Sequence, residues 1–149
     1  MVFKSHMDQA LTEARAAALR GEVPVGAVIV NASGQVLASA GNRTRELKDP
    51  TAHAEILAIR DACSELQSER LTGCSLYVTL EPCAMCAAAI AAARIEKLYY
   101  GADDPKSGGV AQGARVFSQT QTHHRPEIYD GIGAQDSERL LREFFRNRR

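Results

Sequence analysis

Residues 75–100 read SLYVTLEPCAMCAAAIAAARIEKLYY. Ser75 to Leu80 is rich in β-branched and apolar residues and predicts a strand. Pro82 is placed to open a helix at its first turn, where a missing amide costs nothing. Cys83 to Ala93 continues that helix, and Lys97 to Tyr100 predicts a second strand. A helix between two strands implies a right-handed crossover and parallel pairing.

On the N-terminal side, Met7, Ala10, Leu11, Ala14, Ala17 and Ala18 recur at helical spacing, so a helix is expected near residues 4–20, ended by Gly21. Val25 to Val30 and Gln35 to Ala40 predict an antiparallel hairpin around the turn 31–34. Residues 42–51 are polar and contain Pro50, which predicts a loop, with Thr51 as cap of a helix carrying His53 to Ala62. On the C-terminal side, residues 103–124 are Gly-rich and polar, with room for a short helix within 109–117. Glu127 to Tyr129 predicts a last short strand, and 135–147 a helix with Leu140, Leu141, Phe144 and Phe145 facing inward. Helices alternating with strands from residue 52 onward imply an α/β fold, a partly parallel sheet with helices on both faces. No repeat or linker interrupts it, so residues 1–149 are expected to form one domain.

Lys plus Arg equals Asp plus Glu, 18 each, which excludes a protein that coats nucleic acid by bulk charge but leaves a local basic patch open. No run is apolar enough to cross a membrane, and the start MVFKSHMDQA lacks the apolar stretch of a signal peptide. The expectation is therefore a cytoplasmic protein with no membrane partner. In that setting the four Cys read as thiols or metal ligands and not as a disulfide framework.

His53, Cys83 and Cys86 supply imidazole and thiolates, which suit zinc, and Glu55 adds a carboxylate that need not be a ligand. Three protein ligands leave a position for water, the pattern of a hydrolytic zinc enzyme. Cys83 and Cys86, three apart at a helix start, present both sulfurs on one side, where the helix dipole favours thiolate. His53 and Glu55, two apart, lie about 200° around a helix and can share a target only beyond its N-terminal end. Two helix N-termini should therefore point at one metal. Cys63 lies about 15 Å along the helix from His53, too far to be a fourth ligand. Cys74 reads as a buried thiol. A redox Cys-x-x-Cys pair would leave His53 and Glu55 without a task. A zinc-stapled binding module would have no use for Glu55.

His-x-Glu followed by Pro-Cys-x-x-Cys is the zinc deaminase signature. Together with Glu22–Ala27, Asn42–Arg43, Asp49–Ile56, Leu76–Ala87, Arg94–Ile95, Gly101–Ala102, Asp104, Lys106 and Phe144–Arg149, it resembles the bacterial tRNA-specific adenosine deaminases from about residue 7 to the end. The resemblance implies a three-layer α/β/α cytidine deaminase-like fold with a five-stranded mixed sheet, and a homodimer. It implies one zinc per chain on His53, Cys83 and Cys86, with Glu55 moving the protons. The implied reaction is hydrolysis of the wobble adenosine of a tRNA anticodon stem-loop to inosine and ammonia. Asn42 resembles the residue that hydrogen-bonds the base, although an Asn also suits a strand end. Val25 and Ala54 fit a pocket wall or plain core, and Asp104 and Lys106 a loop facing RNA. Glu81 is a candidate for fixing loop backbone. Arg142, Arg146, Arg148 and Arg149 suit phosphate contacts, or a helix end that favours cations. Pro105 and the Gly108–Gly109 pair depart from the family pattern in a substrate-facing loop. The alternative client is a free nucleobase or nucleoside such as cytosine or guanine.

Overall fold

The computed structural model describes residues 5–147. Helix α1 (Met7–Leu19) leads into strands β1 (Gly26–Val30) and β2 (Val36–Gly41). Then come α2 (Ala54–Leu66), β3 (Ser75–Leu80), α3 (Ala84–Ala92) and β4 (Lys97–Ala102). A 3-10 turn at Val116–Ser118, β5 (Glu127–Tyr129) and α4 (Ala134–Arg146) complete the order. The five strands form one mixed sheet in the order β2-β1-β3-β4-β5. β1 runs antiparallel to β2 and β3, while β3, β4 and β5 are parallel. This is the cytidine deaminase-like arrangement that the resemblance implies.

The alternation of side chains along a strand separates two cores. Ala27 and Ile29 of β1 join Leu76, Val78 and Leu98 under α2 and α3. Val28 and Val30 join Met7, Leu11 and Tyr77 under α1, with Leu140 of α4 against them. On this second side Tyr77, Tyr99 and Tyr129 stack across neighbouring strands at centroid distances of 4.4 and 4.9 Å. The alanines Ala54, Ala58 and Ala62 of α2 are fully buried, so the helix backbone lies close on the sheet.

Three local expectations are corrected. Pro82 precedes the N-cap Cys83 instead of opening the helix, and its carbonyl accepts the Gly109 amide at 2.8 Å. Thr51 does not cap α2, whose N-cap is His53; the Thr51 hydroxyl donates to Asp49. The apolar face of α4 is not buried: Leu140, Leu141 and Phe144 are half-buried, Phe145 is 54% exposed, and Ser137 is the buried residue. Its hydroxyl donates to the Thr79 carbonyl, which ties α4 to β3.

Candidate metal centre and its pocket

α2 and α3 present their N-termini to one point. His53 and Cys83 are the N-caps, both in extended backbone, and neither side chain caps its own helix. Their side chains turn to each other instead. His53 Nδ1 lies 3.7 Å from Cys83 Sγ and 3.5 Å from Cys86 Sγ. Bond lengths of about 2.05 Å to nitrogen and 2.3 Å to sulfur in a tetrahedron put ligand nitrogen and sulfur roughly 3.6 Å apart. The donor set therefore fits zinc, and all three ligand atoms lie within 4.8 Å of one another.

The charge pattern agrees. Cys83 is pulled down to about 4, first by a hydrogen bond with Cys86 and then by His53. Cys86 is pushed up, because it holds a proton beside that thiolate and is also buried. His53 is raised chiefly by its bond to Cys83. Cys63 and Cys74 stand apart from the cluster as free thiols, both raised by burial.

Glu55, the second residue of α2, is 4% exposed. Burial pushes its carboxyl up to about 7, against the pull of its own amide and of His53. It lines a cavity of about 220 Å³ together with His53, Cys83, Asn42, Val25 and Ser107. Asn42 directly follows β2 and reaches across the fold: its Oδ1 accepts the Ala54 amide at 2.8 Å. Helix α2 thus receives its cap from twelve residues earlier, since its own N-cap side chain faces the metal position. With the oxygen committed, the NH2 is what Asn42 offers the cavity.

Two loops form the walls, each held by a buried carboxylate. Glu22 accepts the amides of Arg45 and Glu46 and, weakly, the Thr44 hydroxyl. Burial pushes its pKa up, and those bonds outweigh burial and hold it low. Glu81 accepts the Asp104 amide on Oε1 at 3.0 Å, and those of Val110, Ala111 and Gln112 on Oε2 at 3.1, 2.9 and 3.0 Å.

Of the residues expected at the site, His53, Glu55, Cys83, Asn42, Val25 and Asp104 line the cavity, with Cys86 buried behind it. Ala54 does not line it; the side chain is wholly buried in the core, and its contribution is the amide bonded to Asn42. Lys106 lies in an adjoining groove of about 700 Å³ with Pro105, Leu141, Arg142, Phe145 and Arg146, and Asp104 lines both spaces. Arg148 and Arg149 lie outside the described residues. Sequence reasoning missed the bracing role of Glu22; the available signal was an acidic residue directly before the apolar run 23–30. His124 bonds the Ile95 carbonyl at 2.6 Å, and His6 is buried edge-on against Tyr77.

The family described as cytidine and deoxycytidylate deaminase zinc-binding region matches residues 3–102. A tRNA-specific adenosine deaminase of Agrobacterium fabrum is 58% identical over 150 residues, covering 100% of this chain and 98% of that protein. One from Rickettsia felis is 50% identical over 141 residues, covering 94% and 98%. A chain solved in biochemical and structural studies of A-to-I editing by tRNA:A34 deaminases at the wobble position of transfer RNA superposes with a TM-score of 0.90. That chain is 57% identical, and the match covers 93% of this chain and 100% of that one.

Proposed function

Because this chain belongs to the tRNA-specific adenosine deaminases, within the zinc-binding deaminase family, we infer that it hydrolyses adenosine in tRNA to inosine and ammonia. The target is the wobble adenosine of an anticodon stem-loop. The observation that carries the chemistry is a buried glutamate on a cavity wall shared with His53 and Cys83, two members of a zinc-shaped ligand set.

His53, Cys83 and Cys86 would hold one zinc per chain. When bound, zinc supplies Lewis acidity that brings a water's pKa towards 7. Glu55, itself pushed up to about 7, can accept and return protons at neutral pH. It takes a proton from the attacking water and delivers it to the ring nitrogen beside the amino-bearing carbon. As the carbon–nitrogen bond breaks, it moves the second water proton to the leaving amine. Oxygen ends on carbon and nitrogen leaves as ammonia, so one carboxylate serves both transfers. Asn42 presents its NH2 to an acceptor of the base, and Val25 and Ser107 bound the base on other sides. Asp104 stands where the cavity meets the groove.

The groove supports a polymer substrate over a free base. Lys106, Arg142 and Arg146 offer cations to phosphates, and Phe145 offers a half-exposed ring for stacking. Helix α3, AMCAAAIAA, has no charged residue on any side, yet Ala84, Met85, Ala88 and Ala92 are exposed. A helix apolar all round is normally buried. A second copy covering that face gives a homodimer, which light scattering at working concentration tests. The whole chain acts as one deaminase domain, supported by all five strands sharing one sheet. Among the described residues no helix is long and apolar enough to cross a membrane. A tRNA substrate supports a cytoplasmic location.

The test is deamination of a tRNA anticodon stem-loop with adenosine at the wobble position, read as inosine by mass spectrometry, beside free adenosine, cytosine and guanine. Inosine at the wobble position is expected. Equal or faster turnover of a free base would replace this reading by a small-molecule deaminase.

A further inference from the structure

We propose that Glu81 is a positioning residue for deamination, whose carboxylate shapes the 104–112 loop into the wall that receives the target base. This rests on the tRNA deaminase reading of the pocket.

Glu81 follows β3 directly and is 2% exposed. The four hydrogen bonds of its carboxylate run to loop amides and none to the metal ligands. Three consecutive amides converge on Oε2, the form of a backbone nest that binds an anion. The protein supplies that anion itself. Oε1 holds the start of the loop at Asp104 and Oε2 its far end at 110–112, so one side chain closes the whole excursion.

Between those two anchors the loop is pressed onto the entry of the metal-bearing helix. Gly108 pairs with Cys83 in an antiparallel bridge, and the Gly109 amide bonds the Pro82 carbonyl. A Cβ at Gly108 would lie 2.5 Å from Glu81 Oε2, and one at Gly109 2.5 Å from the Ala84 nitrogen. Glycine is required at both places for the approach itself. The Gly108–Gly109 pair and the Glu81 carboxylate therefore form one device. Its product is the placement of Asp104 and Ser107 on the cavity and of Lys106 in the groove. Asp104 is spent in the same way, its Oδ1 closing the turn on the amides of Lys106 and Ser107.

A glutamine cannot replace this carboxylate. Either orientation turns its NH2 towards an amide N–H, at Asp104 or at all three of residues 110–112. The Glu81→Gln variant is assayed on the anticodon stem-loop with zinc content measured alongside. Zinc should stay at one per chain, while KM rises about tenfold or more and kcat changes far less. Glu81→Asp, which keeps the charge but shortens the reach, should fall between Glu81→Gln and the parent. Hydrogen exchange on the unmodified protein adds a measurement that needs no variant to fold. The amides of Asp104, Val110, Ala111 and Gln112 should exchange slowly although the segment has no regular structure. An unchanged KM in a folded Glu81→Gln, a loss confined to kcat or to zinc, or fast exchange at those four amides would overturn the proposal. A parent protein that leaves the stem-loop unmodified would instead overturn the function, and slow exchange would still show the brace.

Discussion

The cavity has two buried glutamates, Glu55 and Glu81, at 4% and 2% exposure, and they do opposite things. Glu55, at the start of α2, has few donors, so burial dominates and its carboxyl rises to about 7. Glu81, at the end of β3, is met by four backbone amides and holds a loop in shape. Burial alone does not decide what a carboxylate is for. A carboxyl starved of donors can exchange a proton at neutral pH, while one saturated with them serves as a structural anion.

Stripping the metal gives the largest expected effect on this contrast. Chelation or Cys86→Ala should take zinc below one per chain and abolish deamination, with added zinc restoring the chelated protein only; activity in metal-free protein would end the hydrolytic reading. Next comes Glu55→Gln, which keeps the shape and removes the proton carrier. Turnover should fall about 10²- to 10⁴-fold with zinc content unchanged. Retained deamination would mean that Glu55 is no different in kind from Glu81.

Asn42 sharpens the comparison, because it serves both the helix and the ligand. Asn42→Ala should cost about 1 kcal/mol of stability through the lost α2 cap, seen as a lower Tm, and should weaken substrate binding. Asn42→Asp keeps the accepting oxygen, so stability should largely recover while KM stays raised. The smallest effect belongs to Glu22, the brace of the opposite wall. Its folded pKa is lowered, so its ionised form adds stability above the ordinary glutamate value of about 4.3. That contribution is lost as pH falls from there through the folded pKa. Glu22→Gln should therefore flatten the acid limb of a Tm-versus-pH curve and leave the neutral limb slightly lower.

Much of the fold was legible because local rules and tertiary structure agree. The hairpin strands, β3, β4 and β5 stand where their apolar runs and turn residues predict. The spacing of His53 and Glu55 required a helix N-terminus, and α2 begins one residue after His53. Thr51 was misread because a capping residue and an Asx-turn partner look alike in sequence; Asp49 claims its hydroxyl. The apolar residues of α4 were misread because periodicity names a face but not what covers it. Leu141 and Phe145 line a groove and are not sealed in a core.

The sequence by itself determined the chemistry: the ligand types, the free carboxylate and the helix ends that carry them follow from identity and spacing over a few residues. Only the tertiary structure decided which distant groups meet. Asn42 caps α2 because β2 delivers it there, and Glu81 gathers amides from 23 to 31 residues away because the loop folds back over α3. The reason is physical. Helix and strand periods are set by neighbours along the chain, whereas a long-range hydrogen bond exists only once packing of the sheet and its helices has brought donor and acceptor together.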